Sequence, residues 1–334
     1  ISGTHGIGVL MANSLMFQRF PDHNGYDDPQ FSSFYGQTLP LLKRGIPVEL
    51  VHMENTPFKD TFNGLQVLVM SYSNMKPMKS EYHNYMADWV KKGGTLVYCG
   101  EDVDPYQTVL EWWNTAGNAY KAPSEHLFEA MGLSRNPGDG TYRFGKGTVI
   151  VMREDPKHFV LKGGNDRKYF ETIVSAYESK TGKKIEIKNN FMVERGPYTI
   201  AAVMDESSSK EPLKLSGLYI DLFDKDLPVL TVKQINPGEQ GYLYDLNKVL
   251  GKVKAKVLCG ASRIYDEKVG KQSYSFVAKS PLHTTNVSRV LLPRKPGKVL
   301  VNGKAEQPEW DESSKTLLLS FENDPAGVNV SIEW

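Results

Sequence analysis

Four short, almost uninterrupted apolar runs constrain this chain more than any other feature: GIGVLM (6–11), PVELVH (47–52), VLVMS (67–71) and TLVYCG (95–100). A strand that is apolar on both faces must be covered on both faces, the condition met by parallel strands inside an α/β layer. Helix patterns separate them. FSSFYGQTLPLLKRG (31–45) is one, kinked by Pro40. KSEYHNYMADWVKKGG (79–94) is another, with Tyr82, Tyr85, Met86, Trp89 and Val90 on one face, Ser80 placed to cap its start and Gly93 its stop. DPYQTVLEWW (104–113), SEHLFEAMGL (124–133) and NDRKYFETIVSAYESKTGKK (165–184) read as further helices, and KGTVIVMRED (146–155) as a fifth strand. This βαβ rhythm predicts an α/β fold with a doubly wound parallel sheet.

Near residue 185 the pattern changes to short alternating runs with Gly, Pro and Asn punctuation, among them KLSGLYIDLF, QSYSFVAK, TLLLSFEND and GVNVSIEW. Such a series predicts an all-β antiparallel sandwich region. NPGEQG (236–241) and VNGK (301–304) are its clearest turns, the second an Asn-Gly hairpin. The expected organisation is an α/β domain over 1–184, a β module over 185–250 and a β-sandwich over 251–334, the last two forming one domain or two. DESSSKEP (205–212) reads as a solvated loop.

A formal charge of +1 over 334 residues, without long basic or acidic runs, removes the electrostatic ground for nucleic acid or an anionic membrane surface. No apolar run approaches the length of a membrane helix. The opening ISGTHG lacks the pattern of a signal peptide, so processing or truncation is expected upstream of Ile1. Cys99 and Cys259 lie far apart and are not expected to form a disulfide.

Cys99 ends a strand at the edge where α/β enzymes carry reactive groups. A nucleophile elbow needs small flanking residues, whereas Val97 and Tyr98 precede this thiol and only Gly100 fits. No histidine follows a strand in a way that supplies a base, His158 being the nearest by position. The side chain is therefore expected to pack as a small hydrophobe.

The strand series and the KKGGTLVYCG segment (91–100) resemble the flavodoxin-like fold of class I glutamine amidotransferases over residues 5–178, as a degenerate member without the elbow glycine. PLLKRGIPVELV (40–51), ADWVKKGGTLVYCG (87–100) and YRFGKGTVIVMRED (142–155), followed by an all-β tail, are similar to the C-terminal accessory domains of glycoside hydrolase family 42 β-galactosidases and related bacterial carbohydrate enzymes. The resemblance implies a role in oligomerisation, a homo-oligomer, and a periplasmic or secreted bacterial location. A catalytic (β/α)₈ barrel is not encoded in these residues.

Other site signals are weaker. Glu101, Asp102 and Asp104 crowd one turn, but Asp104 before Pro105 is an ordinary helix start and no metal is expected. Glu101 with Asp104 as a hydrolytic carboxylate pair ranks below a non-catalytic role. GTHGIG (3–8) and YRFGKGT (142–148) lead into strands rather than out of them, so they cradle no phosphate. FQRFPDHNGYDDPQF (17–31) and Trp112-Trp113 flank the crevice mouth.

The reading is a non-catalytic accessory and oligomerisation portion of a carbohydrate-active protein, with no cofactor. One alternative is a carbohydrate-binding crevice lined by Asn13, Ser14, Tyr72, Ser73, Glu101, Asp104, Trp112 and Trp113. Another is a hydrolase using Cys99 or Glu101 with Asp104.

Overall fold

The computed structural model describes residues 5–17 and 31–334, so the body of the 17–31 loop lies outside the described residues. The chain divides into two compact units. One runs to Asn189 and includes Ser207–Ser209; the other is built from Asn190–Glu206 and Lys210–Trp334.

The first unit is a six-stranded sheet of β1 (Ile7–Met11), β2 (Glu49–His52), β3 (Val67–Met70), β4 (Thr95–Cys99), β5 (Gly140–Phe144) and β6 (Gly147–Met152), ordered β2-β1-β3-β4-β6-β5. The first four pairings are parallel. The sheet is mixed, however, because β5 pairs antiparallel with β6 around Gly145-Lys146. The expectation of an all-parallel sheet is corrected at this edge. TYRF alternates partly covered and exposed side chains, the pattern of an edge strand rather than a buried one.

Helices α1 (Ser14–Phe17), α2 (Ser32–Leu42), α3 (Glu81–Lys91), α4 (Pro123–Ala130), α5 (His158–Leu161) and α6 (Arg167–Thr181) complete the unit. The period-two geometry of the strands divides its core. Leu10, Leu68, Met70, Leu96 and Tyr98 pack with α3 and α4, whereas Val9, Val67, Val69, Val97 and Cys99 pack with α2, α5 and α6. Both faces are thus covered, which is why these strands carry so few polar residues. Pro40 lies inside α2. At Gly36, a Cβ would come within 1.8 Å of the Pro156 carbonyl oxygen, so only glycine admits this approach of the 156 turn to α2. Ser80 makes no capping hydrogen bond.

The helix expected over 104–113 does not form. The Asp104 carboxylate accepts from the Tyr106 N–H and starts a 3₁₀ turn over Pro105–Thr108, after which Val109 is extended. Trp112 and Trp113 therefore do not share a helix.

The second unit is antiparallel throughout its sheets. β7 (Asn190–Arg195), β8 (Tyr198–Val203), β9 (Leu213–Asp221), β10 (Val229–Ile235) and β11 (Gln240–Asp245) form one sheet, ordered β10-β9-β11-β8-β7. β12 (Lys256–Gly260), β13 (Arg263–Val269), β14 (Ser273–Lys279), β15 (Thr285–Leu291), β16 (Lys298–Val301), β17 (Lys304–Glu306), β18 (Glu309–Asp311), β19 (Thr316–Glu322) and β20 (Val328–Glu333) form two more, β12-β15-β19-β18 and β13-β14-β20-β16-β17. These two face each other across Val290, Leu317, Leu319, Tyr274, Phe276, Val330 and Ile332 as a β-sandwich. The Asn302-Gly303 pair, both at positive φ, turns β16 into β17. Alternate residues of the β12-β15-β19 layer, Leu258, Leu291 and Leu318, point the other way and share a core with Ile220, Leu227, Tyr244 and Leu246.

Candidate functional site

The parallel strands β1, β3, β4 and β6 all end at one edge of the first unit, and the segments that leave them carry a group of buried polar residues that includes Ser14, Ser73, Lys76 and Asp104. Ser14, at the start of α1, joins two of these loops. Its Oγ donates to the Lys76 carbonyl at 2.6 Å and accepts from the Lys76 N–H at 2.8 Å. Asn13 beside it is exposed, and its N–H donates to Glu54 Oε1 at 2.9 Å.

Lys76 is the centre of the arrangement. Its Nζ donates to Asp104 Oδ2 at 2.7 Å and to the Tyr72 carbonyl, with the side chains of the ion pair only 4% and 1% exposed. Asp104 also accepts from Gln107 Nε2 at 3.0 Å and from the Tyr106 N–H at 3.0 Å. Burial lowers the lysine pKa, while Asp104, Asp102 and Asp155 pull it back toward the charged form. Both Asp104 oxygens are thus engaged by the chain's own donors. Glu101, its proposed partner, is exposed.

A second cluster surrounds Asp102, held at φ 60°. It accepts from the Tyr98 hydroxyl, from Ser124 Oγ at 2.7 Å and from Arg153 Nη1 at 2.7 Å. Arg153 also donates to the Pro137 carbonyl at 2.9 Å and Asn136 Oδ1 at 2.8 Å, and its guanidinium lies 5.2 Å from the centre of the Phe128 ring. The multiply bonded guanidinium fixes the β4 and β6 loops relative to each other.

Next to it runs a chain of rings. The Tyr72 hydroxyl is 2.5 Å from His83 Nε2, and His83 Nδ1 is 2.8 Å from His126 Nδ1. Neutral rings satisfy both contacts if Tyr72 donates to His83 and His83 donates to His126. Burial holds His83 well below the ordinary histidine pKa, and His126 deepens the shift. Trp112 meets both imidazoles edge-on and donates its indole N–H to the Pro77 carbonyl at 2.8 Å. Trp113 is 2% exposed and donates to the Gln107 carbonyl at 3.0 Å.

The structure therefore brings Ser14, Tyr72 and Asp104 together around Lys76, and places Trp112 and Trp113 behind them. Tyr72, Ser73, Asp104 and Trp113 are all buried, and the Ser73 N–H is bonded to Ser71 Oγ at 3.0 Å. Sequence reasoning missed Lys76, His83, His126 and Arg153. The available signal for the first was a lysine set between the end of a buried strand and Pro77.

Cys99 is fully buried in the core on the α6 side of the sheet. β4 pairs with β6 through Cys99 and Met152, and the Gly100 N–H still reaches the Met152 carbonyl at 3.0 Å. The ladder continues past the thiol, so there is no elbow at that residue. Burial pushes the thiol pKa far up, and the carboxylates of Glu154, Asp139 and Asp155 push it further. Those influences oppose a thiolate. Among the described residues no cluster of three His, Cys, Asp or Glu is placed to hold a metal ion.

No protein-family model and no curated protein matches the chain. Among solved structures it is similar to a β-galactosidase from Bacillus circulans sp. alkalophilus, at 11% identity and TM-score 0.43 over 72% of this chain and 41% of that one. It is also similar to a β-galactosidase from the psychrophilic Marinomonas ef1, at 10% identity and TM-score 0.39 over 72% and 38%. A GH42 exo-carrageenase from Bacteroides ovatus matches at 9% identity and TM-score 0.28, over 98% of this chain and 29% of the other. The chain thus spans about two-fifths of the length of the first of these relatives, and less of the others.

Proposed function

We propose that this chain is a non-catalytic accessory portion of a carbohydrate-active, glycoside hydrolase-like protein, and that its first unit makes subunit contacts with a second copy. The observation that carries the reading is the closed strand-end edge. Ser14, Tyr72, Asp104 and Trp113 are buried there and bonded to the chain's own groups, and the Cys99 thiol is sealed beneath the β4–β6 ladder. A site for chemistry needs a reacting group that substrate can reach.

The strand order β2-β1-β3-β4-β6 supports reading this unit as flavodoxin-like, with β5 added at one edge. On that reading it is an amidotransferase-like layer whose nucleophile position has become core. Four apolar side chains stand exposed beside the buried network, Met78, Val103, Val109 and Leu110, the last to 80%. Side chains of this kind gathered at one edge favour a protein surface as their cover.

The test is sedimentation of the intact chain beside a Val103→Asp, Leu110→Asp variant. The expected result is an oligomer that dissociates to monomer in the variant, with an unchanged thermal midpoint. A wild-type chain that remains monomeric at the highest concentration reached would contradict the assembly role.

A further inference from the structure

The second unit has an open cleft where the first has a closed edge. Its volume is about 770 Å³, within the range of small-molecule sites, and it lies beside the 222–228 loop against the β12-β15-β19 layer. Its lining includes Tyr198 and Tyr242, whose rings stack at 5.7 Å with an interplanar angle of 29°. Phe223 leans on Tyr242 at 5.9 Å and is 62% exposed. The fold gains little from an aromatic ring left so open to water. Leu222, Leu258 and Val287 line the apolar part of the cleft.

The polar lining is of a different kind. Asp224 and Asp226 contribute two carboxylates against one cation, Lys225, whose contact with Asp226 is exposed and weak. Thr285 and Ser320 add hydroxyls. The excess negative charge disfavours sulfated or uronic ligands and phosphates. Carboxylates and hydroxyls beside flat rings instead suit a molecule with an apolar C–H face and a rim of O–H donors.

The loop that carries Phe223, Asp224 and Asp226 is already fixed. Asp221 holds Lys233 Nζ at 2.5 Å and the Phe223 N–H at 3.1 Å, the Leu222 N–H reaches the Tyr242 carbonyl at 2.8 Å, and Arg289 Nε reaches the Leu227 carbonyl at 2.8 Å. A ligand would meet groups whose ordering cost has been met by folding.

We propose that this cleft binds a neutral saccharide, with Tyr198 and Tyr242 of its lining as the stacking surface, extended at the mouth by the exposed Phe223 ring beside Tyr242, and with Asp224 and Asp226 accepting from sugar hydroxyls. The site goes beyond the accessory role: a monomeric chain that binds sugar would remove the assembly reading and leave this one standing, and an oligomer that binds none would do the reverse.

The test is calorimetric titration of the full chain with a panel of neutral oligosaccharides, namely β-1,4-linked galactose, glucose, mannose and xylose tetramers, beside tetragalacturonate and a sulfated carrageenan tetramer. Binding of at least one neutral tetramer is expected. Phe223→Ala and Tyr242→Ala should each raise its Kd about tenfold, while Trp112→Ala in the first unit leaves it unchanged. Phe223 is exposed, so its variant keeps the test valid if Tyr242→Ala fails to fold. No heat with any neutral tetramer at millimolar concentration, binding of the anionic tetramers alone, or an affinity indifferent to Phe223→Ala would overturn the proposal.

Discussion

Asp104→Ala should lower the stability of the first unit by about 3–5 kcal/mol, because it strands a buried lysine rather than merely deleting a contact. Lys76 Nζ is left with the Tyr72 carbonyl, and Gln107 Nε2 and the Tyr106 N–H lose the Asp104 carboxylate as an acceptor. For a domain of this size the loss corresponds to a thermal midpoint lower by roughly 6–20 °C. The paired replacement Lys76→Met with Asp104→Leu should recover most of it, since apolar groups of similar volume avoid the desolvation cost of the ions. Denaturant unfolding of both variants checks this. A loss below about 1 kcal/mol for Asp104→Ala would mean the pair behaves like an exposed salt bridge.

Trp113→Ala should cost about 3–5 kcal/mol by the same measurement. The indole is 2% exposed and donates to the Gln107 carbonyl, so truncation opens a cavity and leaves that carbonyl without its donor. Gln107 in turn holds Asp104, which makes the two variants neighbours in one network. Their effects should therefore not add. If Trp113 were a stacking platform for a ligand, its loss would change binding and leave stability within about 0.5 kcal/mol, as is usual for surface replacements.

The strands of the first unit were legible because burial on both faces writes itself as continuous apolar sequence in VLVMS and TLVYCG. β5 was not, because an edge strand with exposed Thr141 and Arg143 carries the alternation of any polar loop. The stretch 104–113 read as a helix from its apolar spacing. Asp104 overrode that spacing by capping Tyr106 and leaving Val109 extended. The Asn-Gly turn at 302–303 was legible for the opposite reason, since its signal is local chemistry.

In the site, residue types at the strand ends could be named from sequence, but their mutual neutralisation could not. Lys76 and Asp104 are 28 positions apart, and His83 and His126 are 43 apart. Only the topology brings them together. For Cys99, bulky neighbours argued against an elbow; the structure adds that the hydrogen-bonded ladder runs on through Gly100. The aromatic cleft of the second unit was missed because Tyr198 and Tyr242 come from two separate strands and Phe223 from the loop after β9, each of which reads as ordinary strand or turn.

The closed strand-end edge is tested most directly by thiol labelling of the native chain at neutral pH, with peptide mapping to separate the two cysteines. Cys259 is partly exposed and its pKa is pushed up to about 11, so it should react slowly. Cys99 should stay unmodified until denaturant opens the unit. Rapid modification of Cys99 in the folded protein would contradict the account, because it would require an accessible thiolate at the carboxyl end of β4.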